Sequence, residues 1–309
     1  MNKFIKFFPI LCFSLAVISC GSDSDDNDSP VNPTPTPTNT NVNSNFAEAN
    51  QVTHRIEFPK VKGGSSLIVT HYDNNEVNYT VEWDSVKRSC RWSCYELYAS
   101  NLQHNTTRWR VDGNDRYSKQ YPTDPDLHCS TAWQAGRNTD PFWGSGYDHG
   151  HLCPSGDRLN SANANYQTFY LSNMMPQLNG FNAGVWEKME SWVRKQVDTS
   201  TKDTLFVVKG GTIDKSSQVN PATVHGLTIP TYYYMAVLKH AANGEYKAMA
   251  FWVKHEANNT SLISQYAISV DELENLTGID FFCNLPDDLE NKVEGVSSSE
   301  VKNAWSWDF

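Results

Sequence analysis

Residues 147–158 read YDHGHLCPSGDR, a run that contains two histidines, two aspartates and one arginine. Core segments seldom concentrate titratable side chains in this way, because charged groups are almost never buried without partners. Gly150 stands between His149 and His151, and a residue without a Cβ lets the backbone approach a neighbouring group closely. Pro154 ends any regular element just beyond the pair. The run therefore predicts a short strand that carries a functional site, with His151 at its centre.

A second polar segment follows, in which residues 173–177 precede a run with helical spacing of apolar residues from Val185 to Val197. Asn182 and Glu190 are eight positions apart in this part of the chain. At about 100° per residue they lie about 80° apart around a helix, so both side chains can face one side. Their oxygen atoms suit a hard cation that keeps most of its water. Asparagine is also a common helix N-cap, a role that Asn182 could combine with metal binding.

Three motifs in this order resemble those of the DNA/RNA non-specific endonuclease family, which belongs to the ββα-metal, or His-Me finger, superfamily. The family's Asp-Arg-Gly-His, Asn-x-x-Pro-Gln and Asn-x-Gly-x-Trp-x-x-x-Glu motifs correspond to residues 148–151, 173–177 and 182–190. Later stretches that are similar to the family's sheet and closing helix are residues 207–211, 229–233 and 276–282. The resemblance therefore extends over most of the chain beyond its N-terminal segment.

This resemblance implies a Mg²⁺-dependent endonuclease, with Mn²⁺ as an alternative ion, that hydrolyses phosphodiester bonds of DNA and RNA. It also implies little sequence specificity and products that carry 5′-phosphates. It assigns His151 as the general base, Asn182 as the direct metal ligand and Glu190 as a ligand through a bound water. A near-neutral imidazole suits proton removal at about pH 7. DNA and RNA are the implied partners, and no obligate protein partner is predicted.

Contacts with the substrate phosphate are less well defined by the motifs. His149 takes the position of the family's arginine, so a charge that is permanent in the family would here depend on pH. Arg108 and Arg110, which Asp112 follows, are the candidates for the family's upstream phosphate-binding arginine. Arg158 is a further candidate at the end of the quoted run. We expect Arg108 to assist catalysis, and His149, Arg110 and Arg158 to bind phosphate.

Two alternatives remain open from the sequence alone. His149, His151 and Cys153 alternate along one strand face, and a tetrahedral zinc site prefers nitrogen and sulfur ligands of this kind. The chain also carries a formal net charge of −10, which argues against a broadly basic nucleic-acid-binding face. That charge and the missing arginine favour, as the second alternative, a surface lipoprotein that binds nucleic acid with weak catalysis. An enzyme needs only a local positive site, so the charge does not exclude catalysis.

The first residues are typical of a bacterial lipoprotein signal peptide, which we assign to residues 1–20. Two lysines precede an apolar run that is too short for a permanent membrane span, and a lipobox-like sequence leads to Cys20. Cys20 is the predicted lipid anchor to the membrane. Residues 21–50, rich in aspartate, proline, threonine and asparagine, predict a disordered tether. We expect an exported lipoprotein of the cell envelope at the outer membrane, with an acidic run that resembles export signals of surface-exposed lipoproteins.

Cysteines in an exported protein predict disulfide bonds. The domain beyond the tether contains Cys90, Cys94, Cys129, Cys153 and Cys283. An odd number leaves at least one thiol free, and Cys283 is the favoured one because it lies in an apolar run. The pairing of the other four stays open.

Residues 51–309 form one predicted domain of class α+β. Alternating or β-branched apolar residues predict strands of a mainly antiparallel sheet at residues 66–70, 77–83, 95–99, 204–209, 231–238 and 247–254. Helical spacing predicts one helix over residues 185–197 and another over residues 270–276 that Gly278 closes. We expect helices to flank the sheet, and the resemblance implies a ββα-metal active-site motif.

Overall fold

A seven-stranded antiparallel sheet forms the centre of the protein, which a computed structural model describes over residues 38–43 and 52–308. The strands in chain order are β1 (Ser66–Asp73), β2 (Glu76–Asp84), β3 (Ser89–Tyr98), β4 (Asp148–His151), β5 (Met174–Gln177), β6 (Thr204–Gly211), β7 (Tyr232–His240), β8 (Tyr246–Lys254) and β9 (Ala267–Ile268). The large sheet has the order β1-β2-β3-β6-β7-β8-β9, while β4 and β5 pair as a separate antiparallel ribbon. The predicted α+β class with a mainly antiparallel sheet is confirmed.

Helices cover both sides of this sheet. They are α1 (Arg116–Lys119), α2 (Ala162–Gln167), α3 (Asn179–Phe181), α4 (Glu187–Lys195), α5 (Val270–Thr277), α6 (Asp287–Glu294) and α7 (Ser298–Ala304). The hydroxyl of Ser269 accepts a hydrogen bond from the backbone N–H of Glu272 and so caps α5. Gly278 ends α5 in the left-handed conformation with φ of 79°, as predicted. Within the described residues, no helix is both long and apolar enough to cross a bilayer.

The large sheet separates two apolar cores, and its central strands are buried on both faces. The first core packs α4 and the β4–β5 ribbon against the sheet through side chains such as Met189 and Met175, which share this core with Tyr233 of β7. The second core packs α5 and α6 against the opposite face through side chains such as Leu273 and Val293. Burial on both faces weakens the alternation of polar and apolar residues that marks a half-exposed strand.

Strand β3 begins earlier than its predicted start at Tyr95, because a buried arginine is paired inside the fold. Arg91 Nη1 lies 3.0 Å from Glu82 Oε1, and its Nη2 lies 2.7 Å from Asp84 Oδ2. Its Nε donates to Asp214 Oδ2 at 2.8 Å. Charged residues are accepted in a buried strand only when they are paired in this way. The predicted strand over residues 95–99 therefore lacked the first part of β3.

The predicted helix over residues 185–197 is in part wrong. A π-helical turn, Asn182–Trp186, joins α3 to α4, and Gly184 within it has φ of −108° and ψ of −116°. Asn182 is not a helix N-cap, since helical residues precede it. The regular helix α4 starts only at Glu187. Asn182 thus lies in the π-helical turn and Glu190 in the regular helix α4, so the two residues do not share one uniform helix.

The folded part of the chain begins before residue 51, where the tether was expected to end. Asn43 is 1% exposed, and its Nδ2 donates to the Pro59 carbonyl oxygen at 3.0 Å. Asn39 Nδ2 donates to the carbonyl oxygen of Leu285 at 2.6 Å. Residues 38–43 are therefore part of the packed structure and not of a solvated tether. The predictions for residues 1–37 and 44–51, including the anchor at Cys20, lie outside the described residues.

All five cysteines of the domain are free, so the expectation of disulfide bonds is wrong for this structure. Cys90 and Cys153 lie in the first core, whereas Cys94 lies in the second core across the sheet. Cys283 is free and buried, as expected, with its Sγ 3.7 Å from the Phe58 carbonyl oxygen. Burial raises the pKa of Cys153 to about 12, so this thiol stays protonated. The cysteines act here as small apolar side chains.

His71 on β1 contacts two carboxylates of the long loop that follows β3. Its Nδ1 lies 3.2 Å from Asp126 Oδ2, and its Nε2 lies 3.2 Å from Asp124 Oδ2. Burial lowers the pKa of His71, but the two aspartates raise it by more, and the net shift is upward from 6.5. The hydrogen bond at Nδ1 and the second carboxylate close to Nε2 both favour the positively charged form of the ring. The charged ring therefore fastens the loop to the sheet.

We expect the protein to lose stability as the pH rises above the unfolded pKa of His71. Because the folded-state pKa is raised, the interaction contributes fully below about pH 6.5 and is lost as the pH rises through the folded pKa. The unfolding temperature of the wild type, measured from about pH 6 to about pH 9, should fall more steeply than that of His71→Gln. Equal slopes for the two proteins would contradict a charged His71.

Candidate active site

A cleft of about 670 Å³ opens between the β4–β5 ribbon, the π-helical turn and α4. Five of the residues singled out in the sequence line it: Arg108, His149, His151, Asn182 and Glu190. The structure thus brings together residues that are far apart in the sequence, with 82 positions between Arg108 and Glu190. The two other predicted phosphate ligands, Arg110 and Arg158, are not among the residues that line this cleft.

His151 presents an unpaired ring nitrogen at this cleft. Its Nε2 is buried and has no hydrogen-bond partner among the described residues. The ring also forms a hydrogen bond with the backbone of His149 and meets the edge of Phe169 at a centroid distance of 4.8 Å. Burial, followed by the positive charges of Arg108 and Lys209, lowers the pKa of His151 well below 6.5. At neutral pH the ring is therefore neutral, and Nε2 offers a free lone pair.

The π-helical turn that carries Asn182 depends on a close backbone approach at Gly184. A Cβ at this position would lie 2.1 Å from the carbonyl oxygen of Asn258, closer than any real contact. That same oxygen accepts a hydrogen bond from the N–H of Val185 at 2.7 Å. Only glycine fits such an approach, and single π-turns often occur at functional sites. The glycine of the Asn-x-Gly-x-Trp motif is thus explained by the loop that packs against it.

Asp148 fixes the side chain of Asn182. The Asn182 Nδ2 donates to Asp148 Oδ2 at 3.0 Å, and Asn179 Nδ2 donates to the same oxygen at 3.0 Å. Because the amide nitrogen is used in this way, the Oδ1 of Asn182 is the atom left for a ligand in the cleft. Asp148 thus orients the amide group of Asn182.

Glu190 is paired with a buried lysine that the sequence analysis did not assign. Glu190 Oε1 accepts a hydrogen bond from Lys209 Nζ, and Lys209 is 0% exposed in the middle of β6. Burial raises the pKa of Glu190, and the ammonium group of Lys209 opposes this shift. The lysine also lies 4.9 Å from the centre of the Trp186 ring. A lysine inside an otherwise apolar strand was the signal that could have identified it.

His149 does not take over the charge of the family's arginine. Its ring is stacked between Tyr121 at 3.6 Å and Phe142 at 4.5 Å, measured between centroids, and its Nε2 lies 2.8 Å from Asp140 Oδ2. Burial lowers the pKa of His149, although the hydrogen bond with Asp140 raises it. The ring is thus neutral near pH 7. Its carboxylate partner and its aromatic neighbours indicate a positioning role, so the predicted charge contact with phosphate is not supported.

The two arginines outside the cleft differ in their accessibility: the prediction for Arg158 is wrong, whereas the contact predicted for Arg110 stays a prediction. Arg158 is 2% exposed, and its guanidinium donates to the carbonyl oxygens of Asn78, Glu96 and Asp157. Because these buried contacts occupy the guanidinium, it cannot reach a phosphate and instead ties loops to the sheet. The side chain of Arg110 is 81% exposed, and its Nε pairs with Asp112 Oδ1 at 2.9 Å.

Arginines supply positive charge at the cleft from several directions. The guanidinium of Arg108 lies 4.9 Å from the centre of the Phe169 ring, the same ring that meets His151. Arg116 and Arg194 also line the cleft, and neither was assigned a specific role from the sequence. Arg194 Nη1 pairs with Asp157 Oδ1 at 2.8 Å. Of these arginines, Arg108 and Arg116 have no carboxylate partner within the described part of the chain.

The donor atoms beside Asn182 fit a hard divalent cation. An amide oxygen and the carboxylates of Glu187 and Glu190 line one open cleft, and oxygen ligands with room for water suit Mg²⁺ or Mn²⁺. The zinc alternative is wrong: over residues 38–43 and 52–308, no group of clustered ligand atoms includes His149, His151 or Cys153. His71 with its two aspartates does have metal-like spacing, but both of its ring nitrogens already face carboxylates.

We expect the pKa of His151, measured by NMR titration of its ring protons, to lie well below 6.5. Replacing Arg108 by glutamine removes a nearby positive charge, so Arg108→Gln should raise this pKa. Arg110→Gln is the matched control, because Arg110 does not line the cleft and is not among the groups that shift the pKa of His151, and it should leave this pKa unchanged. A wild-type His151 that titrates at or above 6.5 would contradict the buried, neutral ring.

Comparison of the sequence with those of known proteins shows which family the chain belongs to. Residues 62–288 match the sequence model of DNA/RNA non-specific endonucleases. The chain is similar to Nuclease C1 of Cunninghamella echinulata var. echinulata, at 27% identity over 67% of this chain and 81% of the relative. The nuclease of Serratia marcescens is 25% identical over 75% of this chain and 81% of the relative.

A solved structure of the EndoG/EndoGI complex shows that the fold is shared. It has a TM-score of 0.56 and 23% identity, and the match covers 72% of this chain and 89% of that chain. The family match spans the β4–β5 ribbon, the π-helical turn and α4, which together form the cleft. The protein thus belongs to the DNA/RNA non-specific endonuclease family.

Proposed function

We propose that this protein is an endonuclease that hydrolyses phosphodiester bonds of DNA and RNA with Mg²⁺ (or Mn²⁺) and leaves 5′-phosphates. The observation that carries the proposal is the unpaired, buried Nε2 of His151 in a cleft that also contains Asn182 and Glu190. Nucleases of this family depend on a divalent metal. The oxygen donors of the cleft support the same requirement here.

His151 performs the proton transfer that starts the reaction. Its Nε2 takes a proton from a water molecule, whose oxygen forms a bond with phosphorus while the bond between phosphorus and the 3′ oxygen breaks. The 3′ oxygen leaves with a proton from solvent, and the phosphate stays on the 5′ side. A ring that is neutral at pH 7 is already in the form that accepts the proton. Its hydrogen bond with the His149 backbone holds the ring in place during the transfer.

Asn182, through its Oδ1, and Glu190 are the residues that would hold the metal, with Glu190 acting through a water molecule. When bound, the ion neutralises charge on the scissile phosphate and on the departing 3′ oxygen. Asp148 keeps the Asn182 oxygen directed at the cleft, because it binds the amide nitrogen at 3.0 Å. Lys209 on β6 donates a hydrogen bond to the Glu190 carboxylate and keeps it in a fixed position. These contacts orient the ligands before the ion arrives.

Arg108 and Arg116 bind the phosphate backbone of the substrate. Both line the cleft and are free of carboxylate partners among the described residues, so their charge is available to an anion. Backbone contacts carry no sequence information, which accounts for a lack of sequence preference. Because the chain as a whole is acidic, product release is favoured once the local contacts are broken.

Export and anchoring through Cys20 complete the proposal. The basic start, the apolar run and the lipobox-like end of residues 1–20 support it. An anchor at the outer membrane would hold the nuclease at the cell envelope, where it would meet polymers from outside the cell.

Digestion of plasmid DNA and of RNA by the chain from Gly21 onward tests the central part of this proposal. With Mg²⁺ the wild type should cut both polymers, and EDTA should stop the reaction. His151→Ala should lower kcat/KM by about 10²- to 10⁴-fold, the usual contribution of a general base. His104→Ala is the matched control, because His104 is an exposed histidine outside the cleft, and it should retain full activity.

The form of the products distinguishes this chemistry from other routes. Fragments should accept a 5′ label from a kinase only after phosphatase treatment. If the folded wild type cuts neither polymer with Mg²⁺ or Mn²⁺ but shifts both in a binding gel, the protein is instead a nucleic-acid-binding lipoprotein with weak catalysis.

Metabolic labelling with a radioactive fatty acid tests the anchor. The full-length chain expressed in a bacterial host should incorporate the label and sediment with membranes, because an acyl chain buries apolar surface in the bilayer. Cys20→Ser should abolish both effects, whereas Cys12→Ser should leave them unchanged. Label that persists in Cys20→Ser would contradict anchoring at this residue.

A further inference from the structure

A cluster of carboxylates lies on the side of the sheet opposite the candidate active site. Asp271 and Glu274 stand on α5, and Glu294 is the last residue of α6. These helices pack on the second core, whereas the cleft with His151 belongs to the side of the first core. Ligand oxygens of the three carboxylates lie within 4.8 Å of one another. No step of the proposed nuclease reaction uses this cluster.

The cluster contains a buried oxygen that has no partner. Glu294 is 3% exposed, and its Oε1 has no hydrogen bond within the part of the chain that the structure describes. Glu274 Oε1 accepts one hydrogen bond, from the backbone N–H of Phe281 at 2.7 Å. None of the ion pairs formed by the described residues involves Asp271, Glu274 or Glu294. The negative charge of the cluster is therefore not balanced by lysine or arginine.

The backbone holds the carboxylates close to one another. The three-residue spacing of Asp271 and Glu274 puts both on one face of α5. A Cβ at Gly295 would lie 3.3 Å from Asp271 Oδ2 and 2.9 Å from the Asn291 carbonyl oxygen. A glycine directly after Glu294 thus allows the end of α6 to approach the carboxylate on α5. The approach is built into the packing of two helices rather than into a mobile loop.

A second group of acids extends the negative charge beside the cluster. Asn41 Nδ2 donates to Glu290 Oε1 at 2.8 Å and to Asp280 Oδ2 at 3.2 Å. Lys60 Nζ, the nearby cation, is used by the backbone carbonyl oxygens of Asn41 and Val42. Five acidic side chains therefore share this end of the fold: Asp271, Glu274, Asp280, Glu290 and Glu294.

Carboxylates packed this closely cannot all be ionised unless a counter-ion is present. Glu294 Oε1 is buried without a hydrogen-bond partner, and no lysine or arginine of the described residues pairs with the three carboxylates. A divalent cation between them would balance their negative charge and satisfy the unpaired oxygen.

We propose that Asp271, Glu274 and Glu294 bind a Ca²⁺ ion that joins α5 to α6. The donors are carboxylate oxygens only, which suit a hard cation and not zinc. Mg²⁺ demands a near-ideal octahedron and keeps several waters, whereas Ca²⁺ accepts irregular sets of carboxylates, some of them bidentate, with waters. Asp271 is exposed, so water can complete the coordination shell from the solvent side. The ion stabilises the packing of the C-terminal helices on the sheet.

Calorimetric titration of Ca²⁺ into metal-free protein tests the site, in an Asn182→Ala background that removes the ligand proposed for the active-site metal. One Ca²⁺ per chain should bind, and at a hundredfold excess over Kd the unfolding temperature should rise by about 5 °C or more. Glu294→Gln should abolish both effects. Asp288→Asn, an equal charge change at an exposed position of α6 outside the cluster, should abolish neither.

If Glu294→Gln does not fold, Asp271→Asn provides a second test, because Asp271 is the exposed ligand. This variant should also lose Ca²⁺ binding and the rise in unfolding temperature. Absence of binding up to about 10 mM Ca²⁺, beyond the usual range of weak Ca²⁺ modules, would overturn the site and leave a cluster of shared protons. Binding that persists in both ligand variants would overturn it as well. Nuclease activity has no part in either result, so the two proposals fail independently.

Discussion

The contact between Gly184 and the carbonyl oxygen of Asn258 is the constraint on which the candidate active site depends. It leaves no room for a side chain and takes one backbone hydrogen bond, from Val185, out of the regular helical pattern. The chain responds with a π-helical turn, which separates Asn182 from the regular helix that carries Glu190. Asp148 on the neighbouring ribbon then fixes the amide of Asn182 at 3.0 Å. An irregular turn and a short strand, rather than one uniform helix, thus create the cleft.

Charge inside the fold follows a consistent rule on the two sides of the sheet. Beside the cleft, the buried charges of Lys209 and Glu190 satisfy each other, and His151 avoids the problem by staying neutral. On the other side, Glu294 has no such partner. The cost of burying an unpaired charge explains both arrangements. It also explains why Glu190 is paired with Lys209 and why the unpaired Glu294 calls for a cation.

Local motifs predicted the centre of the site well, because His151, Asn182 and Glu190 do line one cleft. The strands and the end of α5 at Gly278 also followed from periodicity and turn chemistry. Arg158 was misjudged, since only tertiary structure shows that main-chain carbonyl oxygens occupy its guanidinium. The expectation of disulfides was wrong because cysteine counts say nothing about which thiols the fold brings within bonding distance. Lys209 was missed because its partner is distant in the sequence.

A crystal structure with Mn²⁺ and a non-cleavable DNA oligonucleotide tests the central claim most directly, through the anomalous signal of the metal. The account predicts a Mn²⁺ peak next to Asn182 Oδ1, with Glu190 one water away and His151 Nε2 facing the phosphorus on the side opposite the 3′ oxygen. A peak on the imidazole nitrogens of His149 or His151, or DNA bound in the cleft with no metal near Asn182, would contradict it.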